Sequence, residues 1–397
     1  MRRTDVLVIG GGIAGYTAAL TARRWFKDKK VTLVRREEKA LIPWGLPYVF
    51  SSGTLAKNVI HDGRLFDRGI ELIIDEVTDI DRKGRCVLMA DSGRITYDKL
   101  ILATGAIPAP FPVEGADLKG VFTVKREVSY LENLRRALDT ARNLVIVGGG
   151  LTGVEFAEAC SRGWRLKISV VELLPHCLSR SFDDDVCALA EERLRSRGIN
   201  VLTKTRVEKL LGEDRVEQVK LSNGQTLPAD VVILASGVVP NIELARKAGL
   251  EADERFGIWV DEYMRTSDVN IFAVGHCAWK SSGLAFVATR GARIAGANLF
   301  GLRRPSRPGP TASFTVVGDL ALGFAGLTER AAREVGIGVV VTSERRSFDM
   351  PAAGELGMKV VSARDTGAII GAQVYGRFLS RVREMTNSLA ATIQTLN

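Results

Sequence analysis

One local pattern occurs twice in this chain and constrains its fold more than any other feature. Residues 5–20 (DVLVIGGGIAGYTAAL) and 143–159 (NLVIVGGGLTGVEFAEA) each read as a buried strand, a glycine turn and a helix. The glycines of both copies have G-x-G-x-x-G spacing: Gly10, Gly12 and Gly15 in the first copy, and Gly148, Gly150 and Gly153 in the second. The repetition predicts two strand–turn–helix units of one kind.

The glycine spacing suits a dinucleotide. The first glycine makes the tight turn, the second lets the backbone approach a pyrophosphate, and the third lets the helix pack closely on the strand. The helix N-terminus then binds the negative charge. One copy alone could be only a tight turn, but two complete copies predict two Rossmann-like domains that each bind a nucleotide.

The residue that ends the second strand distinguishes the two units. In such units an acidic side chain about 20 residues after the glycines accepts hydrogen bonds from ribose hydroxyls. Glu172, in KISVVELLP, has this position in the second copy. Because a carboxylate repels a 2′-phosphate, Glu172 favours NAD over NADP in this site.

The first copy has Arg35 at the matching position, in VTLVRREEK. An arginine only donates hydrogen bonds, so it cannot accept them from ribose hydroxyls. Arg35 could stack on an adenine ring, or Glu37 could reach back from beyond the strand. The alternative is that Arg35 and Arg36 form a solvated strand end.

Length and composition exclude several classes of protein. A chain of 397 residues is too long for one ordinary core, which predicts two or three domains. No stretch approaches the roughly 18 apolar residues of a membrane span. The apolar run from Val6 to Ile9 leads directly into glycines and is too short for a signal peptide, so we expect a cytoplasmic protein. The five cysteines include no C-x-x-C pair, and we expect no metal site.

The formal net charge of +9 raises the question of a charged partner. The basic residues are scattered and no nucleic-acid module accompanies them, so we expect no nucleic-acid partner. The charge could belong simply to a solvated basic surface. It could also attract a small acidic protein over a long range.

Further segments resemble those of a known family. They are LILATGAIP (100–108), VVILASGVVPN (231–241), GIWVDEYMRTSDVNIFAVGHCA (257–278), GLTERAAREVGI (326–337) and AIIGAQVYG (368–376). With the two glycine turns, they make the chain resemble the pyridine nucleotide-disulfide oxidoreductase flavoproteins. Within that family it is most similar to coenzyme A disulfide reductases and to NADH oxidases or peroxidases.

The resemblance implies an α/β fold with two Rossmann-like dinucleotide-binding domains, for FAD and NAD, and a shortened α+β C-terminal interface domain. The FAD-binding domain would comprise residues 1–115 and 241–305, and the NAD-binding domain residues 116–240. The interface domain, residues 306–397, follows the linker RRPSRPGP and pairs two subunits into a homodimer in the family.

The terminal segment has one apolar helical face, formed by Phe378, Val382, Met385, Leu389 and Ile393. That face could pack within the interface domain or across a dimer. Relatives continue beyond this point with a segment that approaches the partner's flavin.

The resemblance also assigns site residues. Glu155 aligns with a family glutamate close to the nicotinamide. His276 follows Gly275 where the family has Gly-Asp, whose carboxylate holds the ribityl chain of FAD; a neutral imidazole can still accept one such hydrogen bond. Further candidate cofactor residues in the matching segments are Thr104, Gly105 and Gly237.

Trp44 is the main departure from the family pattern. It precedes residues 45–48 (GLPY), where this subgroup has a cysteine against the flavin. An indole cannot form the mixed disulfide or sulfenic acid that a thiolate forms. Trp44 could stack near the flavin as a wall, or it could be a core tryptophan turned away from the cofactor.

Two functions follow from these expectations. The first is an NADH-dependent FAD oxidoreductase that passes electrons, without a redox-active disulfide, to oxygen, a quinone, a small electron-carrier protein or polysulfide. The second is a redox-silent relative that keeps the fold for binding or assembly. The changes at Arg35, Trp44, His276 and the chain end favour the second, and the intact glycine turns favour the first.

Overall fold

The computed structural model describes residues 2–42, 45–52, 55–279, 285–306, 309–348 and 354–396. Three units account for most of these residues: a first unit, a unit inserted into it, and a C-terminal unit. Among the described helices, none has the length and apolar character needed to cross a membrane.

The first unit starts with a Rossmann-like parallel sheet. Its elements are β1 (Arg2–Ile9), α1 (Ile13–Trp25), β2 (Val31–Arg35), α2 (Leu46–Ser52), α3 (Gly63–Phe66), β3 (Glu71–Ile74), β4 (Val77–Asp81), β5 (Cys86–Met89) and β6 (Arg94–Leu102). The strand order is β3-β2-β1-β6-β5-β4, and β3, β2, β1 and β6 run parallel. The first glycine turn therefore joins β1 to α1, as the sequence predicts.

The inserted unit, β8 to β15, repeats this arrangement between two short crossing strands. The elements are β7 (Ala106–Pro108), β8 (Val121–Thr123), α4 (Val128–Thr140), β9 (Asn143–Val147), α5 (Leu151–Gly163), β10 (Lys167–Val171), α6 (Asp184–Ser196), β11 (Asn200–Leu202), β12 (Val207–Leu211), β13 (Gln218–Leu221), β14 (Thr226–Pro228), β15 (Val231–Leu234) and β16 (Val238–Pro240). A parallel sheet has the order β11-β10-β9-β15-β8, and β12-β13-β14 form an antiparallel one. β7 pairs with β16, so the chain enters and leaves this unit side by side.

The chain then completes the first unit. The returning elements are α7 (Glu243–Lys247), β17 (Ala252–Asp253), β18 (Gly257–Ile258), β19 (Ile271–Ala273) and α8 (Ala285–Asn298). β19 pairs in parallel with β6, and α8 packs against α1. Buried alanines such as Ala18 and Ala292 let these helices approach closely.

The C-terminal unit is an α+β layer. Its elements are β20 (Ala312–Val317), β21 (Leu320–Gly326), α9 (Glu329–Glu334), β22 (Val339–Phe348), β23 (Gly354–Ala363), β24 (Ile369–Gly376) and α10 (Leu379–Leu396). The antiparallel sheet has the order β20-β21-β24-β23-β22. α10 buries Val382 and Ile393 against it, so the apolar face of this helix packs within the unit. The predicted α/β class, with two Rossmann-like units and an α+β unit, is confirmed.

A buried lysine connects the C-terminal unit to the inserted unit. Lys359 on β23 is 7% exposed, and its Nζ lies 3.2 Å from Asp183, 3.2 Å from Asp185 and 3.3 Å from Glu329. Asp183 also accepts a hydrogen bond from the side chain of Gln373 at 2.5 Å. Because an unpaired buried charge is costly, these contacts fix how the two units dock.

An aromatic cluster connects α2 of the first unit to α5 of the inserted unit. The Phe50 ring lies 5.3 Å from Phe156 in an edge-to-face arrangement and 6.2 Å from Trp164. Phe50 and Phe156 are both buried. The segment after Trp44 is thus held between two units through Phe50.

We expect Phe50→Ala to lower the free energy of unfolding by about 3 to 5 kcal/mol, because it removes a buried ring and leaves a cavity. The matched control is Phe66→Ala, since Phe66 is 59% exposed and should change the value by less than about 0.5 kcal/mol. Urea denaturation of both variants measures this. Equal effects would show that the α2–α5 contact adds little stability.

Candidate functional site

Both glycine turns bring strand and helix into backbone contact. Gly10 has a φ of +105°, and a Cβ on it would lie 2.2 Å from the carbonyl oxygen of Ala103. A Cβ on Gly15 would lie 1.8 Å from the carbonyl oxygen of Gly10. Gly148 and Gly153 show the same kinds of contact in the second turn. These four positions admit only glycine without a backbone shift.

The middle glycine of each turn faces open space. A Cβ on Gly12 or Gly150 would meet no atom within 4 Å. Gly12 is the N-cap of α1 and Gly150 the N-cap of α5, and no side chain hydrogen-bonds to either cap among the described residues. The first N–H groups of both helices are thus accessible to a phosphate, and both turns fit a dinucleotide.

Glu172 lies against the second turn and is 8% exposed. Its Oε2 accepts a hydrogen bond from the N–H of Gly149 at 2.5 Å, and its Oε1 accepts one from the N–H of Leu174 at 2.7 Å. A carboxylate has about four acceptor sites, so these two bonds leave capacity for ribose hydroxyls. The role of Glu172 in selecting NAD stays a prediction.

Arg35 is 2% exposed, so the expectation of a solvated strand end is wrong for this residue. Its guanidinium forms a bidentate pair with Asp62 at 2.6 and 2.7 Å. It also donates to the carbonyl oxygens of Glu37 and Glu38. Since protein acceptors already use most of its donors, a contact between Arg35 and a cofactor stays a prediction.

A cleft of about 240 Å³ between the first and inserted units brings several predicted residues together. Glu155 from α5, Gly237 from the second crossing and His276 from the first unit line it. Arg126, which precedes α4, lines it too. Residues that are far apart in the sequence thus form one site next to the second glycine turn.

Burial raises the pKa of Glu155 to about 7. Its Oε1 accepts a hydrogen bond from the hydroxyl of Thr315, on β20 of the C-terminal unit, at 2.8 Å. The carboxyl therefore changes its protonation state in the neutral pH range instead of near its usual pKa. A group with this property can hold or release a proton inside the cleft.

Burial lowers the pKa of His276, and the charge of Arg126 lowers it further, so the imidazole is neutral at pH 7. A neutral imidazole can accept the hydrogen bond that the resemblance requires. Arg126 forms no hydrogen bond or ion pair with another described residue, and burial lowers its pKa. The cleft thus combines an unpaired cation with a neutral histidine.

The remaining predicted residues lie where the units join. The Thr104 hydroxyl donates to the carbonyl oxygen of Asn241 at 2.7 Å, and the N–H of Asn241 donates to the carbonyl oxygen of Gly105 at 3.0 Å. Gly275 begins a 3-10 turn, and a Cβ on it would lie 2.7 Å from the Cβ of Ala14. The hydrogen bonds of Asn241 hold the two crossings together, whereas Gly275 lies against α1 within the first unit. The assignment of Thr104, Gly105 and Gly275 to cofactor binding stays a prediction.

Trp44 lies outside the described residues. Its predicted place against the flavin and the alternative of a core tryptophan both stay open. The residues that follow it are described, and Leu46 and Pro47 line the cleft.

Comparison with models of known protein families shows to which family this chain belongs. A model described as pyridine nucleotide-disulphide oxidoreductase matches residues 4–292, and the dimerisation domain of the same family matches residues 312–395. The chain belongs to the pyridine nucleotide-disulphide oxidoreductase family. It is accordingly an FAD-dependent NAD(P)H oxidoreductase. Membership of the family confirms the prediction of FAD and NAD as cofactors.

Individual relatives of this family cover most of the chain. An NADH oxidase of Methanocaldococcus jannaschii is 32% identical over 415 residues, which cover 98% of this chain and 90% of that protein. A solved NAD-dependent persulfide reductase from A. fulgidus has a TM-score of 0.90 at 31% identity, over 99% of this chain and 77% of that chain. Rubredoxin-NAD(+) reductase of Pseudomonas putida is 31% identical over 281 residues, covering 69% of this chain and 71% of that protein.

Two residues at the cleft escaped the sequence reasoning. Arg126 stands in a basic dipeptide before a helix, a context that gives no sign of a cofactor site. Thr315 follows Glu155 by 160 residues, in a strand of another unit. Only the folded arrangement brings either of them to the site.

We expect the NAD site to prefer NADH, and Glu172→Gln to reduce the preference over NADPH about tenfold by removing like-charge repulsion, a change of about 1.4 kcal/mol. Glutamine keeps one of the two oxygens that accept the N–H groups of Gly149 and Leu174. Stopped-flow flavin reduction with each coenzyme measures the preference, and Glu208→Gln, an exposed carboxylate on β12, is the control. A wild-type preference for NADPH would contradict the assignment.

We expect Glu155→Gln to stabilise the protein at pH 8 but not at pH 4.5. The folded carboxyl has a pKa raised to about 7 from its ordinary value of 4.5, so the unfolded chain releases this proton first as the pH rises. As the pH rises from 4.5 to 8, the free energy of unfolding of the wild type therefore falls by about 1 to 3 kcal/mol. Urea denaturation at both pH values measures it.

The control for this comparison is Glu132→Gln, which changes an exposed carboxyl on α4. It should show no such pH dependence. A Glu155→Gln variant that parallels the wild type from pH 4.5 to pH 8 would contradict the raised pKa.

Proposed function

We propose that the protein oxidises NADH and passes the electrons to an external acceptor that reaches the flavin without a protein thiol. FAD, when bound, accepts a hydride from NADH and releases the electrons to the acceptor. The observation that carries this proposal is the absence of any cysteine from the cleft that Glu155 and His276 line.

All five cysteines, Cys86, Cys160, Cys177, Cys187 and Cys277, are buried. Burial raises the pKa of every one of these thiols. A buried thiol with a raised pKa is a poor nucleophile, and it does not readily form the disulfide or sulfenic acid that could accept electrons from the flavin. These properties support electron transfer from the flavin directly to the acceptor.

The residues of the cleft have defined roles in this proposal. The glycine turns bind the two pyrophosphates through helix N-termini. Glu155 would lie beside the nicotinamide and could exchange a proton near neutral pH. His276, as a neutral imidazole, would accept a hydrogen bond from the flavin side chain in place of the aspartate of the family pattern.

A small acidic electron-carrier protein is the acceptor that the net charge favours. The chain has a formal charge of +9, and opposite charges accelerate the encounter of two proteins. One relative, aligned over 69% of this chain, is named rubredoxin-NAD(+) reductase, after a protein acceptor. Oxygen, quinones and polysulfide are the other acceptors to compare.

We further propose the domain boundaries inferred from the sequence and a homodimer formed through residues 306–397. The pairing of β7 with β16 supports the crossing points between the FAD and NAD domains. The match of residues 312–395 to the dimerisation domain of the family supports the dimer.

The experiment starts from purified protein, which we expect to be yellow and to bleach when NADH is added without oxygen. N-ethylmaleimide should leave NADH-driven acceptor reduction intact, because no thiol is accessible, and intact-mass spectrometry should find no adduct. With an acidic rubredoxin as acceptor, the rate should fall between about 0.02 and 0.5 M salt through screening.

Trp44→Cys is the positive control, since it restores a cysteine to the family position and should make the activity sensitive to N-ethylmaleimide. A colourless protein that binds no FAD would overturn the proposal in favour of the redox-silent alternative. Loss of activity on alkylation of the folded wild type would show that a thiol takes part.

A further inference from the structure

Glu155 is held by a residue from outside its own unit. The Thr315 hydroxyl donates to Glu155 Oε1 at 2.8 Å, and Thr315 is fully buried on β20. α5 carries Glu155 along the wall of the cleft, whereas β20 belongs to the C-terminal unit. The cleft carboxyl therefore depends on the docking of a unit that contributes no strand to either nucleotide-binding sheet.

Tyr48 joins this contact from the first unit. Its side chain, on α2, lies near Thr315 and Val316 of β20. Burial, followed by the charge of Glu155, raises the pKa of Tyr48 to about 12, so the phenol keeps its proton at neutral pH.

The charge of Glu155 matters for the two forms of the coenzyme. NAD⁺ has a positively charged nicotinamide ring, and the ring of NADH is neutral. A carboxylate beside the ring stabilises the charge that develops as the hydride leaves, and a protonated carboxyl does not. A hydrogen bond donated to the carboxylate favours its charged form.

We propose that Thr315 is a positioning residue whose hydrogen bond favours the ionised form of Glu155 at the cleft, where the carboxylate favours the cationic ring of NAD⁺ over the neutral ring of NADH. This inference rests on the proposed function, in which the nicotinamide occupies the cleft beside Glu155. The preference for NAD⁺ over NADH would then depend on the contact between the C-terminal and inserted units.

Of the described titratable groups around the Glu155 carboxyl, this carboxyl is the one that titrates near pH 7. Tyr48 faces it from α2 with a pKa of about 12, and the pKa of His276 lies below its usual 6.5. The charged arginines of this region are Arg126 on the cleft wall and Arg162 on α5, and guanidinium groups keep their charge in proteins. A pH dependence between 6.5 and 8.5 thus reports on Glu155.

The test measures binding to the oxidised holoenzyme by calorimetry between pH 5.5 and 8.5. The two probes are NAD⁺ and 1,4,5,6-tetrahydro-NAD, an unreactive analogue with an uncharged ring. For the wild type, the preference for NAD⁺ should rise about tenfold through a midpoint near the pKa of about 7. Thr315→Val should move the midpoint upward by about one pH unit, and Thr315→Ser should restore it.

Two further variants complete the experiment. Glu155→Gln should give a preference that does not change with pH. Thr386→Val removes a buried hydroxyl that bonds only within α10, and it should leave the midpoint where it is. Thr315→Ala serves as a second variant should Thr315→Val fold poorly.

An unchanged midpoint in Thr315→Val and Thr315→Ala, with both probes still bound, would overturn this inference and leave the proposed function intact. A holoenzyme that binds neither probe at any pH would overturn both. A midpoint that shifts equally in Thr315→Val and Thr386→Val would also overturn the inference, because it would reflect general loosening of the C-terminal unit.

Discussion

The contact between backbone atoms at the two glycine turns is the constraint on which the rest of the site depends. At Gly10 and Gly148 the strand end lies so close to a neighbouring carbonyl that a Cβ would overlap it. This approach places the N-termini of α1 and α5 at the carboxyl edges of their sheets. Since Glu155 follows Gly153 by two residues, the same turn also positions the Glu155 carboxyl at the cleft.

The parts of the fold that the sequence predicts are those specified by neighbouring residues. The glycine turns, their strands and helices, and the position of Glu172 depend on spacings of about 20 residues or fewer, and the structure has them where expected. The domain order and the α+β C-terminal unit followed from resemblance to a family. These features are local or shared, so one chain is enough to recognise them.

The parts that escaped prediction depend on contacts between distant residues. A solvated strand end was one of the two alternatives for Arg35, but Asp62, 27 residues away, forms a bidentate pair with its buried guanidinium. Thr315 reaches Glu155 from another unit. No periodicity or motif encodes such a pair, because the distance between its members is set only when the units dock. The titratable groups of the cleft also come together only on folding, since Arg126, His276 and Glu155 belong to three separate segments.

The pairing of β19 with β6 has a consequence for synthesis of the chain. Leu100 on β6 is in register with Ile271 on β19, and the whole inserted unit lies between them. At about 5 to 20 residues per second, a ribosome needs roughly 10 to 30 seconds to make the intervening segment. The nascent first unit must keep one sheet edge unfilled for that time, while the inserted unit folds on its paired crossing strands. The first unit to be synthesised is therefore completed only after the unit that interrupts it.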